Sequence, residues 1–354
     1  VKKFFLGMES ELYIIEETAK GYVGTSHLEG TQPVRVAVDP QNQDRIYCAT
    51  YGHGLWKSED GGAHWKAIGK VSPYHEAPAG DGIRSAHLTF VAVHPYRKRN
   101  GNSVVYAGTE PAALYCSEDN GEHWKEFKDI QTLPSKNNWQ FPPRPYTHHI
   151  RWVTPSYADE NKLGVSVEFG AFIRTEDHGA TWQDRPFQSP LDTHVLLAHP
   201  HAPGRLYAAC GDGLISQGNS YAESNDDGET WEYKSEGLEA HPYLYNMTLH
   251  PEDSNDRLAA ASKHAREAHH SSLYSTIYRK QGSEPWRELS EGLPCEGAFI
   301  HVLAADPIEA GTFYAMNNYG LYQWKKGTSK WKKIEVNWKE KFLNEHPSAL
   351  VIRG

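Results

Sequence analysis

Trp56-Lys57-Ser58-Glu59-Asp60-Gly61-Gly62-Ala63-His64-Trp65 is a stretch that the chain writes out again and again. Ser117-Glu118-Asp119-Asn120-Gly121-Glu122-His123-Trp124 repeats it, as do Thr175-Glu176-Asp177-His178-Gly179-Ala180-Thr181-Trp182 and Ser224-Asn225-Asp226-Asp227-Gly228-Glu229-Thr230-Trp231. Two worn copies follow, Gln281–Trp286 and Lys326–Trp331. The shared pattern is [Ser/Thr]-x-Asp-x-Gly-x-x-Trp, flanked by apolar or aromatic residues. In such a pattern Asp accepts backbone N–H bonds inside a turn and Gly supplies a positive φ. Trp then opens the next strand with a large apolar face. The pattern therefore predicts a strand–turn–strand that recurs as a structural repeat.

Outward from the turn, each unit has the same anatomy. An apolar first strand runs into a Pro, as in Val34-Arg35-Val36-Ala37-Val38-Asp39-Pro40, and a second strand follows, as in Arg45–Thr50. The equivalent strands end at Pro95, Pro155, Pro200, Pro251 and Pro307, a spacing of roughly 45 to 60 residues that suits propeller blades. Six units result, at about 32–70, 85–128, 146–186, 193–235, 242–290 and 298–335. Lys2–Met8, Glu11–Glu17 and Gly21–His27 supply three strands of a seventh, and Ser348–Arg353 supplies its missing first strand. Residues 1–30 and 346–354 would then form one blade and lock the ring. The expected fold is all-β: a seven-bladed β-propeller filling 1–354 as one domain.

The turn resembles the Asp-box (BNR) repeat of sialidases, sortilin-type receptors and photosystem II assembly-factor-like proteins. That resemblance covers nearly the whole chain. It implies a propeller and no single activity, because those families share the repeat and not one chemistry. Sialidase activity fits poorly, since no Arg-Ile-Pro motif lies near the N-terminus and sialidases have six blades.

Bulk composition narrows the classes further. A formal charge of −9 argues against a nucleic-acid partner, and no apolar run is long enough to span a membrane. The first residues, Val1–Gly7, turn polar sooner than a secretory signal would. Cys48, Cys116, Cys210 and Cys295 stand apart and read as free thiols, which favours a cytoplasmic location.

Three insertions, Val71–Arg84, Asp129–Tyr146 and Lys263–Ser275, are expected on one face, and loops of that kind carry function. They hold Tyr74, His75, Trp139, Phe141, Arg144, His264, Arg266, His269 and His270. His94, His199 and His250 precede a Pro where other units have Asp39 and Asp306, so they read as turn residues. Six residues before each terminal Pro stands the column Val34, Thr89, His149, His194, Tyr245 and His301. A propeller brings such a column to one ring around the axis. Imidazoles there would converge on a divalent transition metal such as zinc, iron or manganese, or would simply line a wet channel.

The expected ligands are His149, His194, His301 and His87, with Asp192 beside His194 as a supporting partner. Glu168 is the first choice for a general base, Tyr245 for stabilising an oxyanion, and Arg151 lies at a strand entrance. Other loop residues reaching the same funnel are Glu9, His53, Glu110, Asp212, Asn317 and Arg84. Each carboxylate could equally cap a loop. The leading expectation is a metal-dependent hydrolase or lyase acting on a small-molecule or carbohydrate substrate. The alternatives are a non-catalytic propeller that binds a protein partner and a metal-independent glycoside hydrolase or lyase.

Overall fold

In the computed structural model, which describes residues 1–68 and 82–354, seven antiparallel sheets are arranged as a β-propeller. Tyr74 and His75 lie outside the described residues. Six sheets have four strands, and the sheet of Ile150–Pro155, Leu163–Val167 and Ala171–Thr175 has three. Ala349–Arg353, from the far end of the chain, pairs with Lys3–Gly7, setting Phe5 opposite Val351. One blade is thus closed by both chain ends, which leaves no free edge at the seam.

The repeated turn is the local reason for this order. In each good copy the Ser or Thr oxygen accepts the Gly N–H, at 2.8–2.9 Å. The Asp Oδ1 accepts the N–H of the residue before Trp, at 2.8–2.9 Å. Three of the four indoles then donate back to the Gly carbonyl. Gly228 shows why no other residue fits: its φ is +88°, and a Cβ would sit 2.3 Å from Phe172 of the neighbouring blade. The turn therefore also fixes how blades pack. The worn copies serve differently, with Trp286 and Trp331 donating across to Lys234 and Leu289 carbonyls.

The turn after each first strand has its own acceptor. Asp39 Oδ1 accepts from Gln41 N and Asp306 Oδ1 from Ile308 N. His94, His199 and His250 use Nδ1 in the same way. In the 150–155 strand that acceptor is Ser156, whose Oγ takes the Ala158 N–H. Here Pro155 precedes the acceptor instead of following it, so Pro is not a constant marker of register.

That difference has consequences at the axis. Five first strands carry a β-bulge five residues before the turn acceptor, with pairing that skips Val34, Thr89, Arg151, His194 and Tyr245. A bulge leaves one residue unpaired and re-aims its side chain. In the blade of Ile150–Pro155 the aligned residue is therefore Arg151, and His149 stands two places earlier.

Candidate functional site

Glu168, in the turn between Leu163–Val167 and Ala171–Thr175, is the hub of a buried cluster. Its Oε2 lies 2.8 Å from His149 Nε2 and 3.3 Å from Arg151 Nε. Its Oε1 faces His194 Nε2 at 3.6 Å. Burial alone would raise the Glu168 pKa, but Arg151, His149 and His194 outweigh it and hold the carboxyl well below its ordinary range. His149 is held from its other side by the Asp129–Tyr146 insertion. Phe141 packs edge-on against its ring, and Arg144 clamps Glu110 at 2.6 and 3.0 Å, with Glu110 3.5 Å from His149 Nδ1.

His194 is oriented by one strong contact. Its Nδ1–H donates to the Leu244 carbonyl at 2.6 Å, which leaves Nε2 as the acceptor in the neutral ring. That lone pair points among acceptors: Asp192 Oδ1 at 3.5 Å and Glu168 Oε1 at 3.6 Å. A lone pair facing two carboxylates is repulsive unless a cation or a proton stands between them. Burial lowers the His194 pKa, and Asp192 and Glu168 reverse this, so the net shift is upward. Glu168, Asp192 and His194 form the one group of potential metal ligands among the described residues.

Beside this cluster a cavity of about 400 Å³ opens on the axis. Four of the five bulged residues, Val34, Thr89, Arg151 and Tyr245, line it. The Arg151 guanidinium lies 4.7 Å from the centre of the Tyr245 ring. On the far side a relay runs from Tyr243 through His269 and His346 to a carbonyl. His346 Nδ1–H donates to Pro347 O at 2.7 Å, His346 Nε2 accepts from His269 Nδ1 at 2.7 Å, and His269 Nε2 accepts from Tyr243 at 3.0 Å. Burial pushes His346 down to about 4 and holds His269 well below the ordinary histidine value, so both rings are neutral.

The structure brings together Glu168, His149, His194, Arg151, Tyr245 and Asp192. It does not bring His87 or His301 to them, which corrects the expected four-histidine ring. His87 packs on Tyr51, 4.6 Å between ring centres. His301 is fully buried, its Nδ1 bonded to Ser275 and its Nε2 to Asn317 at 3.2 Å, so no lone pair is left for a metal. Asp212 caps the loop N–H groups of Leu191 and Asp192. Arg35 and His346 were not among the expected site residues. Arg35 had a signal, a lone charge inside an apolar strand between Val34 and Val36.

The fold is shared with solved propellers. The GH74 enzyme of Niastella koreensis matches with a TM-score of 0.66 at 15% identity, over 93% of this chain and 51% of that one. The GH74 xyloglucanase of Xanthomonas campestris matches at 0.65 and 16% identity, over 94% and 52%. YCF48 bound to a D1 peptide matches at 0.56 and 17% identity, over 85% and 81%. The chain spans about half the length of these two GH74 proteins. At such identities the likeness is one of fold. No protein-family model and no characterised protein matches the chain by sequence. No helix among the described residues is long and apolar enough to cross a membrane.

Proposed function

We propose that this propeller is an enzyme acting on a carbohydrate or other small polar substrate in the axial cavity, with a divalent cation held by Glu168, Asp192 and His194. The observation that carries the reading is the environment of His194 Nε2. Its separations of 3.5 and 3.6 Å from the two carboxylate oxygens are long for an N–H···O bond. They would suit ligand atoms sharing one ion, and the ligand atoms of all three residues lie within 4.8 Å of one another. The Nδ1–H bond to Leu244 O is the kind of contact that orients a ligating imidazole. Glu168 divides its two oxygens, Oε2 toward Arg151 and His149 and Oε1 toward the cation position. Zinc, iron or manganese would accept this nitrogen-and-oxygen set.

When bound, such an ion would polarise a substrate oxygen or bound water. The chain's own groups do the rest. Glu168, held ionised, is a poor base at neutral pH, so we assign it to ligation and not to proton transfer. Tyr245, kept protonated by burial, can donate a hydrogen bond to a developing oxyanion at the cavity wall. Arg151 steadies the Tyr245 ring from one side and Glu168 from the other.

Elemental analysis of untagged protein, before and after incubation with zinc, manganese or ferrous iron, tests the reading. About one equivalent is expected, and it should be lost in the double variant Asp192→Asn, His194→Ala. Less than about a tenth of an equivalent would sink it. The raised pKa of His194 favours the second reading in that event: an imidazolium fills the gap, and the propeller is a binding protein or a metal-independent glycoside hydrolase or lyase.

A further inference from the structure

Arg35 is a half-buried cation with no ion-pair partner among the described residues. It stands on the first strand Pro33–Asp39 and lines the axial cavity. Its guanidinium carbon lies 3.9 Å from the centre of the Trp152 ring and 5.2 Å from that of Phe90. Aromatic rings hold a guanidinium by its face, which leaves its N–H edge unused. Among the described residues no carboxylate forms an ion pair with it, and its buried Nε has no hydrogen-bond partner. Other arginines leave their own Nε unbonded too, but each has a polar partner that Arg35 lacks: Arg257 and Arg205 share Glu223, Arg97 reaches Glu160 O and Asn161, and Arg151 faces Glu168. Only the Nε is fully buried, so the charge is open to the cavity that Arg35 lines and has no protein acceptor there.

Nearby charge adds to the imbalance. Burial first, and the field of Arg151 second, push the Arg35 pKa down to about 9. Glu9 is the one carboxylate among the residues lining this cavity. It is exposed and accepts the His346 N–H at 3.5 Å. An anion entering the cavity would meet an uncompensated guanidinium edge, with aromatic rings of Trp152, Tyr245 and Phe299 around it.

We propose that Arg35 is the anchor of an anion subsite in the axial cavity, and that the ligand is an acidic saccharide whose carboxylate is gripped by the Arg35 edge. A planar fork of donors matches a carboxylate's two oxygens, and aromatic walls suit the faces of a pyranose ring. The volume, about 400 Å³, lies in the ordinary range for small-molecule sites. This names the substrate class of the site proposed above and rests on the cavity being the substrate site. It does not require the cation.

Titration calorimetry on metal-stripped intact protein tests it with D-glucuronate, its methyl ester, D-glucose and inorganic phosphate at constant ionic strength. Glucuronate is expected to bind about 10- to 100-fold more tightly than the ester or glucose. Arg35→Gln should abolish that preference, while the ligand-free protein still unfolds cooperatively on heating. Equal affinity for glucuronate and glucose would overturn the proposal, as would an Arg35→Gln variant that binds glucuronate as before. Tighter binding of phosphate than of glucuronate would overturn the assignment to a carboxylate. Because the protein is stripped of metal, failure of the cation reading leaves this result standing.

Discussion

Taking the protein from pH 7 to pH 5.5 should cost it about 4 kcal/mol of stability, because the buried His94 and His301 and the part-buried His346 are neutral acceptors. In each ring the nitrogen that would take the proton already receives one. His94 Nδ1 accepts from Arg97 N at 3.0 Å, and His346 Nε2 accepts from His269. His301 Nε2 accepts from the Asn317 amide at 3.2 Å. That amide cannot turn over to help, since its Oδ1 is held by Tyr319 N at 2.8 Å. Burial lowers these pKa values to about 3, 3 and 4 in the folded protein, against an ordinary 6.5. The unfolded chain therefore binds more protons below pH 6.5. The stabilisation is complete above that value and is lost as pH falls toward the folded pKa. One pH unit below 6.5 each ring has forfeited about 1.3 kcal/mol. Three give about 4, a large share of the roughly 5–15 kcal/mol that holds an ordinary domain together. His194 and the surface His123, with raised pKa values, act in the opposite sense, while His269, well below its ordinary value, and His148 and His178, lowered to about 4, act in the same one. Depressed carboxylates change protonation only at lower pH. Urea unfolding at the two pH values, at constant slope, reads the difference. A loss under about 1 kcal/mol would refute the reasoning. His301→Gln, which can keep both hydrogen bonds without titrating, should remove about a third of the effect.

The remaining expectations concern the frame of the molecule. Deleting Ala349–Arg353 exposes Leu350, Ile352 and the edge of Lys3–Gly7; the two large side chains alone are worth about 3–6 kcal/mol, and urea unfolding should show a loss of at least that size. Gly228→Ala should cost about 2–4 kcal/mol, combining left-handed strain with a Cβ 2.3 Å from Phe172. Gly282→Ala, also left-handed but in open space, is the control and should cost about 1 kcal/mol. Glu223 binds Arg205 at 2.8 Å, Lys234 at 3.1 Å and the fully buried Arg257; Glu223→Gln strands those cations and should cost about 3–5 kcal/mol by the same assay.

What the sequence made legible follows the range of the interactions involved. The repeated turn is written in full within eight residues, because its Ser or Thr, Asp and Gly bond to one another's neighbours along the chain. The closed ring was legible for a related reason: three strands at one end and one at the other are complementary only if they share a blade. The site was legible in part. The column read from the terminal prolines reached His194 and Tyr245, two bulged residues at the axis. It missed Arg151 in favour of His149, because register is set by the turn acceptor, and in that blade Ser156 comes after the proline. His149 reaches the cluster all the same, through the short bond to Glu168 that its own blade supplies.

His301 shows a different limit. Counted from its turn acceptor Asp306 it stands at the bulge level, but its strand begins one residue later, at Val302. With no bulge pairing there to re-aim it, the ring is free to take the donors nearby, Ser275 from the Lys263–Ser275 insertion and Asn317 from its own blade. Both partners are distant in sequence and chemically ordinary, so no pattern of spacing announces them. A repeat fixes the height of a residue on the axis; which way its side chain turns is decided by whether the backbone bulges and by whether a partner waits inside the sheet.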